Sequence, residues 1–150
     1  MITGYFDGAC EPVNPNGHMG IGSLIIDGDE VIHKHSSCIK FGESGFTATS
    51  NNVAEYLAII NILEKLIELN YNTRSIQLWG DSQLVVQQMK GNWRIKKGAY
   101  VEYAKKAKEL ISKFTQISVD WIPRENNQLA DDLSKGVMID RGIEFRIQYK

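Results

Sequence analysis

At 150 residues, 43% of them hydrophobic, the chain suits a single domain whose core is large enough to fold unaided. Its 17 Lys and Arg nearly balance 18 Asp and Glu, and a formal net charge of −1 excludes a globally basic surface for gripping nucleic acid. No apolar run reaches the length of a bilayer span, since even 53–69 is broken by Asn61, Glu64, Lys65 and Glu68.

The first predicted strand covers 2–8, where Ile2, Tyr5 and Phe6 lead into Asp7 and Gly8. Strands at 20–27 and 30–40 follow, joined by a hairpin turn at Asp27-Gly28-Asp29. The three histidines, His18, His33 and His35, fall in this region without a paired acid or nucleophile, which makes them strand-face or solvent-facing groups. Cys10 and Cys38 lack C-x-x-C spacing, so they are expected to be reduced thiols and not a zinc or redox motif.

A helix is predicted from 51 to 69, with Ser50 or Asn51 as its N-cap. Val53, Leu57, Ile60, Leu63 and Ile67 form one stripe at helical spacing, and Tyr56, Ile59, Ile62, Leu66 and Leu69 nearly fill a second, so the helix is buried along much of its length. Glu55 lies about one turn inside it between Ala54 and Ala58. A first-turn acid favoured by the helix dipole is the plain structural explanation, and Glu55 alone does not exclude it.

The strand at 75–80 ends at Asp81, and Ser82 is placed to cap a short helix at 82–90. The segment Lys90-Gly91-Asn92-Trp93-Arg94-Ile95-Lys96-Lys97 interleaves four cations with an aromatic ring before a longer helix at 98–114. Trp79 and Trp121 are expected in the core. After a strand at 117–122, Pro123 leads to a helix at 127–135, whose apolar face is assigned to Leu129, Ala130 and Leu133 and which carries Asp131 and Asp132. The tail Gly142-Ile143-Glu144-Phe145-Arg146-Ile147-Gln148-Tyr149 alternates apolar and polar residues, so 136–150 is read as a C-terminal tail of the domain, docked on its body as an extra strand or an extended segment.

Asp7, Glu55, Asp81 and one of the last pair of acids thus stand where apolar elements meet polar turns. Carboxylates set beside core segments are costly unless a cation stabilises them, and hard oxygen donors suit Mg²⁺ or Mn²⁺. No Ser/His/Asp or Cys/His relay accompanies them, which favours metal-aided hydrolysis.

Taken in order, FDGAC with Asn14-Pro15 and Gly17, then SNNVAEYLAI, GDSQLVVQQMKGNW and RENNQLADDL resemble type 1 ribonuclease H, from about Tyr5 to Lys135. The resemblance implies a ribonuclease H-like α/β fold with a five-stranded mixed sheet covered by helices on both faces. It implies a metal-dependent endoribonuclease that hydrolyses the RNA strand of RNA/DNA hybrids, with two Mg²⁺, or Mn²⁺ in their place, held by Asp7, Glu55, Asp81 and Asp131. Asp132 becomes a neighbour of the site. Around the carboxylates the resemblance places Asn14, Ser50, Asn51, Asn52 and Gln83 as readers of backbone and 2′-hydroxyls, and it sets Trp93, Lys96 and Lys97 beside the DNA strand. Turn and cap chemistry is an equal explanation for Ser50 and Asn14.

Two departures from the family's commoner pattern bear on these expectations. Some relatives carry a basic helical protrusion where this chain has only the turn from Trp93 to Tyr100, so strong protrusion-assisted binding is not expected. Many carry a loop histidine before the last acid, where this chain has Pro123-Arg124-Glu125-Asn126-Asn127; Arg124 takes its place electrostatically, since a guanidinium is no general base near neutral pH. The rival functions are a module that grips hybrids without cutting them and a DNA resolvase or transposase-like nuclease on the same fold. Double-stranded RNA stands as a further candidate substrate. A cytoplasmic monomer without leader sequence or membrane partner is expected, because the first strand starts almost at Met1.

Overall fold

The computed structural model describes residues 1–40, 42, 49–143 and 145. β1 (Ile2–Glu11) is the pivot of the sheet: one edge pairs antiparallel with β2 (His18–Asp27), and the other pairs parallel with β4 (Ser75–Gly80). β3 (Glu30–Ile39) extends the hairpin beyond β2, and β5 (Gln116–Trp121) flanks β4. The five-stranded mixed sheet therefore runs β3-β2-β1-β4-β5. The β2–β3 hairpin closes through Gly28 at φ 63, a left-handed conformation that glycine adopts without steric cost.

Among the described residues four α-helices flank the sheet: α1 (Asn51–Glu68), α2 (Gln83–Met89), α3 (Val101–Ile111) and α4 (Gln128–Asp140). Alternation along β1 decides which faces they cover, since Gly8 pairs with Ile21 while Asp7 pairs with Gly22. A side chain at Gly8 would begin 2.4 Å from the backbone of Ala54 on α1, and one at Gly22 would begin 2.3 Å from the carbonyl of Ala130 on α4. The two helices thus pack on opposite faces, each at a distance only glycine permits. α1 is the core helix, with Val53, Ala54, Tyr56, Ile59, Ile62, Leu63 and Leu66 fully enclosed, and Ala104 and Ala107 of α3 are buried in the same core.

Several sequence expectations need correction. β1 continues to Glu11, past the predicted end at 8, because β2 starts at His18 and pairs with it to its last residue. α3 is shorter than 98–114, since Gly98 at φ 154 holds the preceding chain out of helical geometry, whereas α4 runs on to Asp140. Leu129 is 62% exposed, and the inner face of α4 is Ala130, Ser134 and Met138, small or flexible groups that suit the close approach to β2. Trp79 is half-buried and Trp121 is 42% exposed, because β5 is the sheet's edge and Trp121 its last residue. Ile143 and Phe145 pack against Ala9, Cys38 and Met138, but the predicted tail strand otherwise falls on 144 and 146–150, outside the described residues. Cys10 and Cys38 are both buried.

Candidate active site

The parallel register of β1 and β4 ends at Phe6 opposite Gly80, so the next residue on each strand is an acid, Asp7 and Asp81. The sheet splits at that point, because β1 continues along β2 while the chain after β4 turns away into α2. Ser82 caps that turn, its Oγ accepting the Val85 N–H at 3.3 Å. This is the usual ligand position of an α/β sheet, outside the carboxyl end of a strand where neighbouring connections diverge.

Glu55 reaches the same point from α1. Ser50 caps this helix by accepting the Val53 N–H at 3.1 Å, and the contact over Gly8 draws the first turn onto β1. One oxygen from each of Asp7, Glu55 and Asp81 lies within 4.8 Å of the others. Asp131 arrives from α4, buried beside Asp7, while Asp132 faces solvent, so the fold itself separates the paired acids. The four line one cleft of ≈ 400 Å³ together with Asn51, Asn52, Glu11, Ser82, Arg124 and Lys135.

The electrostatics are those of a crowded anionic pocket. Burial raises the Asp7 carboxyl well above its ordinary range, and the charge of Asp81 raises it further. Burial, then the charge of Asp7, does the same to Glu55, whose Oε2 is buried without a hydrogen-bond partner. Asp81 is also raised, first by burial, although the Asn127 amide and the charges of Arg124 and Lys135 oppose the shift. A donor set of several acids with an orphaned carboxylate oxygen is what a divalent cation fits.

Short polar groups fix these acids in place. Asp7 accepts from the Gly8 N–H at 3.0 Å and from Ser134 Oγ at 3.4 Å. Asn127, buried before α4, donates its amide to the Phe6 carbonyl at 3.0 Å and so ties α4 to the strand that carries Asp7. Trp121 donates its indole N–H to the Asp81 carbonyl at 3.1 Å, which explains why this exposed ring sits where it does. Arg124 Nη2 is 3.8 Å from Asp131 Oδ1, and Lys135 Nζ contacts the same oxygen directly.

Of the expected recognition residues, Asn14, Ser50, Asn51 and Asn52 cluster at the start of α1. Asn14 Oδ1 accepts the Asn51 N–H at 3.0 Å, and Asn51 Oδ1 accepts the Cys10 N–H at 2.7 Å. Gln83 is exposed in the first turn of α2, accepting from Gln87 at 3.2 Å. Trp93, Lys96 and Lys97 lie apart from the cleft on an exposed loop between α2 and α3, while Lys90 is drawn into an ion pair with Asp120 at 2.6 Å. The sequence reading missed Lys135, Ser134, Asn127 and Glu11. Ser134 and Lys135 carried a signal, because they follow Asp131 by three and four residues, the spacing of one helix face.

A family model described as reverse transcriptase-like matches residues 6–137. The ribonuclease HI of Halobacterium salinarum is 32% identical over 139 residues, covering 93% of this chain and 65% of the relative. The crystal structure of ribonuclease H1 from that archaeon superposes with a TM-score of 0.79 at 31% identity, over 93% of this chain and 98% of the other. LC11-RNase H1, solved in complex with an RNA/DNA hybrid, gives a TM-score of 0.81 at 30% identity, over 94% of this chain and 99% of its own. The bifunctional protein Rv2228c of Mycobacterium tuberculosis is 32% identical over 125 residues, 83% of this chain, which spans only 32% of that relative's length.

Proposed function

From the premise that the chain belongs to the type 1 ribonuclease H family, we propose that it is a metal-dependent endoribonuclease that hydrolyses the RNA strand of RNA/DNA hybrids. The observation that carries the proposal is the convergence of Asp7, Glu55 and Asp81 within 4.8 Å, with Asp131 lining the same cleft. A relative of 30% identity that was solved with an RNA/DNA hybrid supports the substrate class.

Asp7, Glu55, Asp81 and Asp131 would hold two divalent ions, Mg²⁺ or Mn²⁺. When bound, such a pair supplies an activated water and stabilises the charge on the departing sugar oxygen. The protein's own part is orientation. Asp7 is held by Gly8 and Ser134, Asp81 rides on a strand end braced by Trp121, and Asn127 locks α4 to β1 so that Asp131 is held beside Asp7. Arg124, at the mouth of the cleft, attracts the scissile phosphate electrostatically and takes no proton, because its guanidinium stays charged at any working pH.

Recognition is assigned to Asn14, Ser50, Asn51, Asn52 and Gln83 for the RNA strand and to Trp93, Lys96 and Lys97 for the DNA strand. Asn14 and Asn51 use their carbonyl oxygens within the framework, which orients amide NH₂ groups that can donate to a 2′-hydroxyl or phosphate. The enzyme acts as a monomer.

The test is incubation of the purified chain with labelled RNA/DNA hybrid, double-stranded RNA and duplex DNA, each with Mg²⁺, Mn²⁺ or EDTA. Metal-dependent scission of the RNA strand of the hybrid is expected, and the double-stranded RNA arm defines how strictly the DNA strand is required. Tight hybrid binding without scission identifies a binding module instead, and preferential cleavage of duplex DNA identifies a resolvase-type nuclease.

A further inference from the structure

Gln88 is a fully buried amide on α2 that plays no part in the carboxylate chemistry. Its Oε1 accepts from Tyr56 Oη at 2.5 Å, and its Nε2 donates to the Arg94 carbonyl at 3.1 Å and to Tyr100 Oη at 3.2 Å. Tyr100 Oη also accepts the Lys96 N–H at 3.3 Å, and its ring stacks on Tyr56 with centroids 6.0 Å apart and planes 6° from parallel. Tyr56 is the residue after Glu55, so this network joins the catalytic helix to the backbone on both sides of Ile95. The segment it holds has no helix or strand of its own and carries Trp93, Arg94, Lys96 and Lys97 on the surface.

Side-chain polar groups are seldom buried so completely unless their bonds fix something. What these bonds fix is an exposed basic loop, at two backbone atoms, relative to Glu55. A loop with its cations already in place binds a phosphate backbone without the entropic cost of ordering it on contact.

We propose that Gln88 is a positioning residue for substrate binding: through Tyr56 and Tyr100 it presets the 93–97 loop to grip backbone phosphates of the hybrid away from the scissile bond. This rests on the hybrid-nuclease reading above and adds to it a device for substrate affinity that leaves the chemical step alone. This chain lacks the basic protrusion that some relatives carry, and the clamp supplies rigidity to the cations of the loop that stands in its place.

The experiment uses Gln88→Ala and, because a hole in the core can unfold the chain, Tyr100→Phe, which keeps the stacked ring and removes only the hydroxyl. Hydrogen exchange of the metal-free protein without substrate reads the clamp, and steady-state cleavage of an RNA/DNA hybrid reads its use. Faster exchange at 94–97 with little change in α1, and a KM raised about tenfold while kcat falls no more than about twofold, are expected for Tyr100→Phe. Unchanged exchange at 94–97 overturns the clamp whatever the enzyme cuts. Faster exchange with an unchanged KM, or an equal loss in kcat, overturns its role in binding. Absence of hybrid cleavage by the wild-type chain is the separate failure of the functional reading.

Discussion

Lys135 Nζ contacts Oδ1 of Asp131 one turn earlier on α4, so a buried ammonium stands at the wall of the carboxylate cleft. A unit charge about 4 Å away is worth roughly 4 kcal/mol at an effective dielectric near 20, before desolvation is counted. The ammonium therefore offsets the anionic crowding of the metal-free site and competes with an incoming cation for Asp131. Lys135→Met is expected to lower the melting temperature in EDTA yet tighten Mn²⁺ binding by about tenfold or more. Calorimetric titration checks this, and unchanged affinity in a folded variant contradicts it.

The raised carboxyls of Asp7 and Glu55 make a signed prediction about pH. A folded-state pKa above the unfolded value means that the folded protein holds protons the unfolded chain has already released. The contribution to stability is full below about pH 4, the ordinary carboxylate value, and is lost as pH rises through the raised folded pKa. Asp7→Asn removes the part carried by Asp7 and leaves the burial of Glu55, so in EDTA its melting temperature is expected to exceed that of wild type by an amount that grows as pH rises above the ordinary carboxylate value. A gain of about 1 kcal/mol corresponds to roughly 2–4 °C for a domain of this size. Divalent ions raise the wild-type melting temperature and raise that of Asp7→Asn far less; a constant difference across pH rejects the electrostatic cause.

Lys96 and Lys97 are exposed on the loop after α2. Replacing both by Ala is expected to raise KM for hybrid at low salt and to reduce the salt dependence of binding by about one phosphate contact per cation removed. Turnover at saturating hybrid falls less. KM values that follow the wild-type salt curve identify the pair as ordinary solvated charges.

RNA recognition by Asn51, Asn52 and Gln83 predicts that a hybrid with one ribonucleotide in an otherwise DNA strand is cut poorly, because most 2′-hydroxyl contacts are missing. Substrates with one to six consecutive ribonucleotides are expected to show rising rates. Equal rates along the series exclude these amides as the source of RNA preference.

The apolar run that leads into Asp7, the double stripe of α1 and the strand end before Asp81 were legible because each rests on local patterning and capping chemistry. Asp131 was separated from Asp132 only by family resemblance, and the fold supplies the physical reason, since one faces the cleft and the other faces solvent. Lys135, Asn127 and Gln88 were not singled out, because their roles depend on long-range neighbours: Asn127 bonds Phe6, and Gln88 bonds Tyr56. Leu129 and Trp121 misled for a related reason. Apolarity predicts burial only where an element has a partner on that side, and neither the outer face of α4 nor the end of the edge strand has one among the described residues.

The most direct measurement compares purified wild type, Asp7→Asn and Asp132→Asn on an RNA/DNA hybrid labelled in its RNA strand, with Mg²⁺ and with EDTA. An amide at position 7 keeps the side chain's shape and discards the charge that holds a cation in the cleft. Wild type and Asp132→Asn are expected to cut the RNA strand at similar rates with Mg²⁺ and not with EDTA, while folded Asp7→Asn loses at least about a hundredfold in rate, roughly 2.7 kcal/mol of activation free energy. Cleavage by folded Asp7→Asn at a rate near wild type would contradict the assignment of these four carboxylates as the metal-dependent catalytic centre.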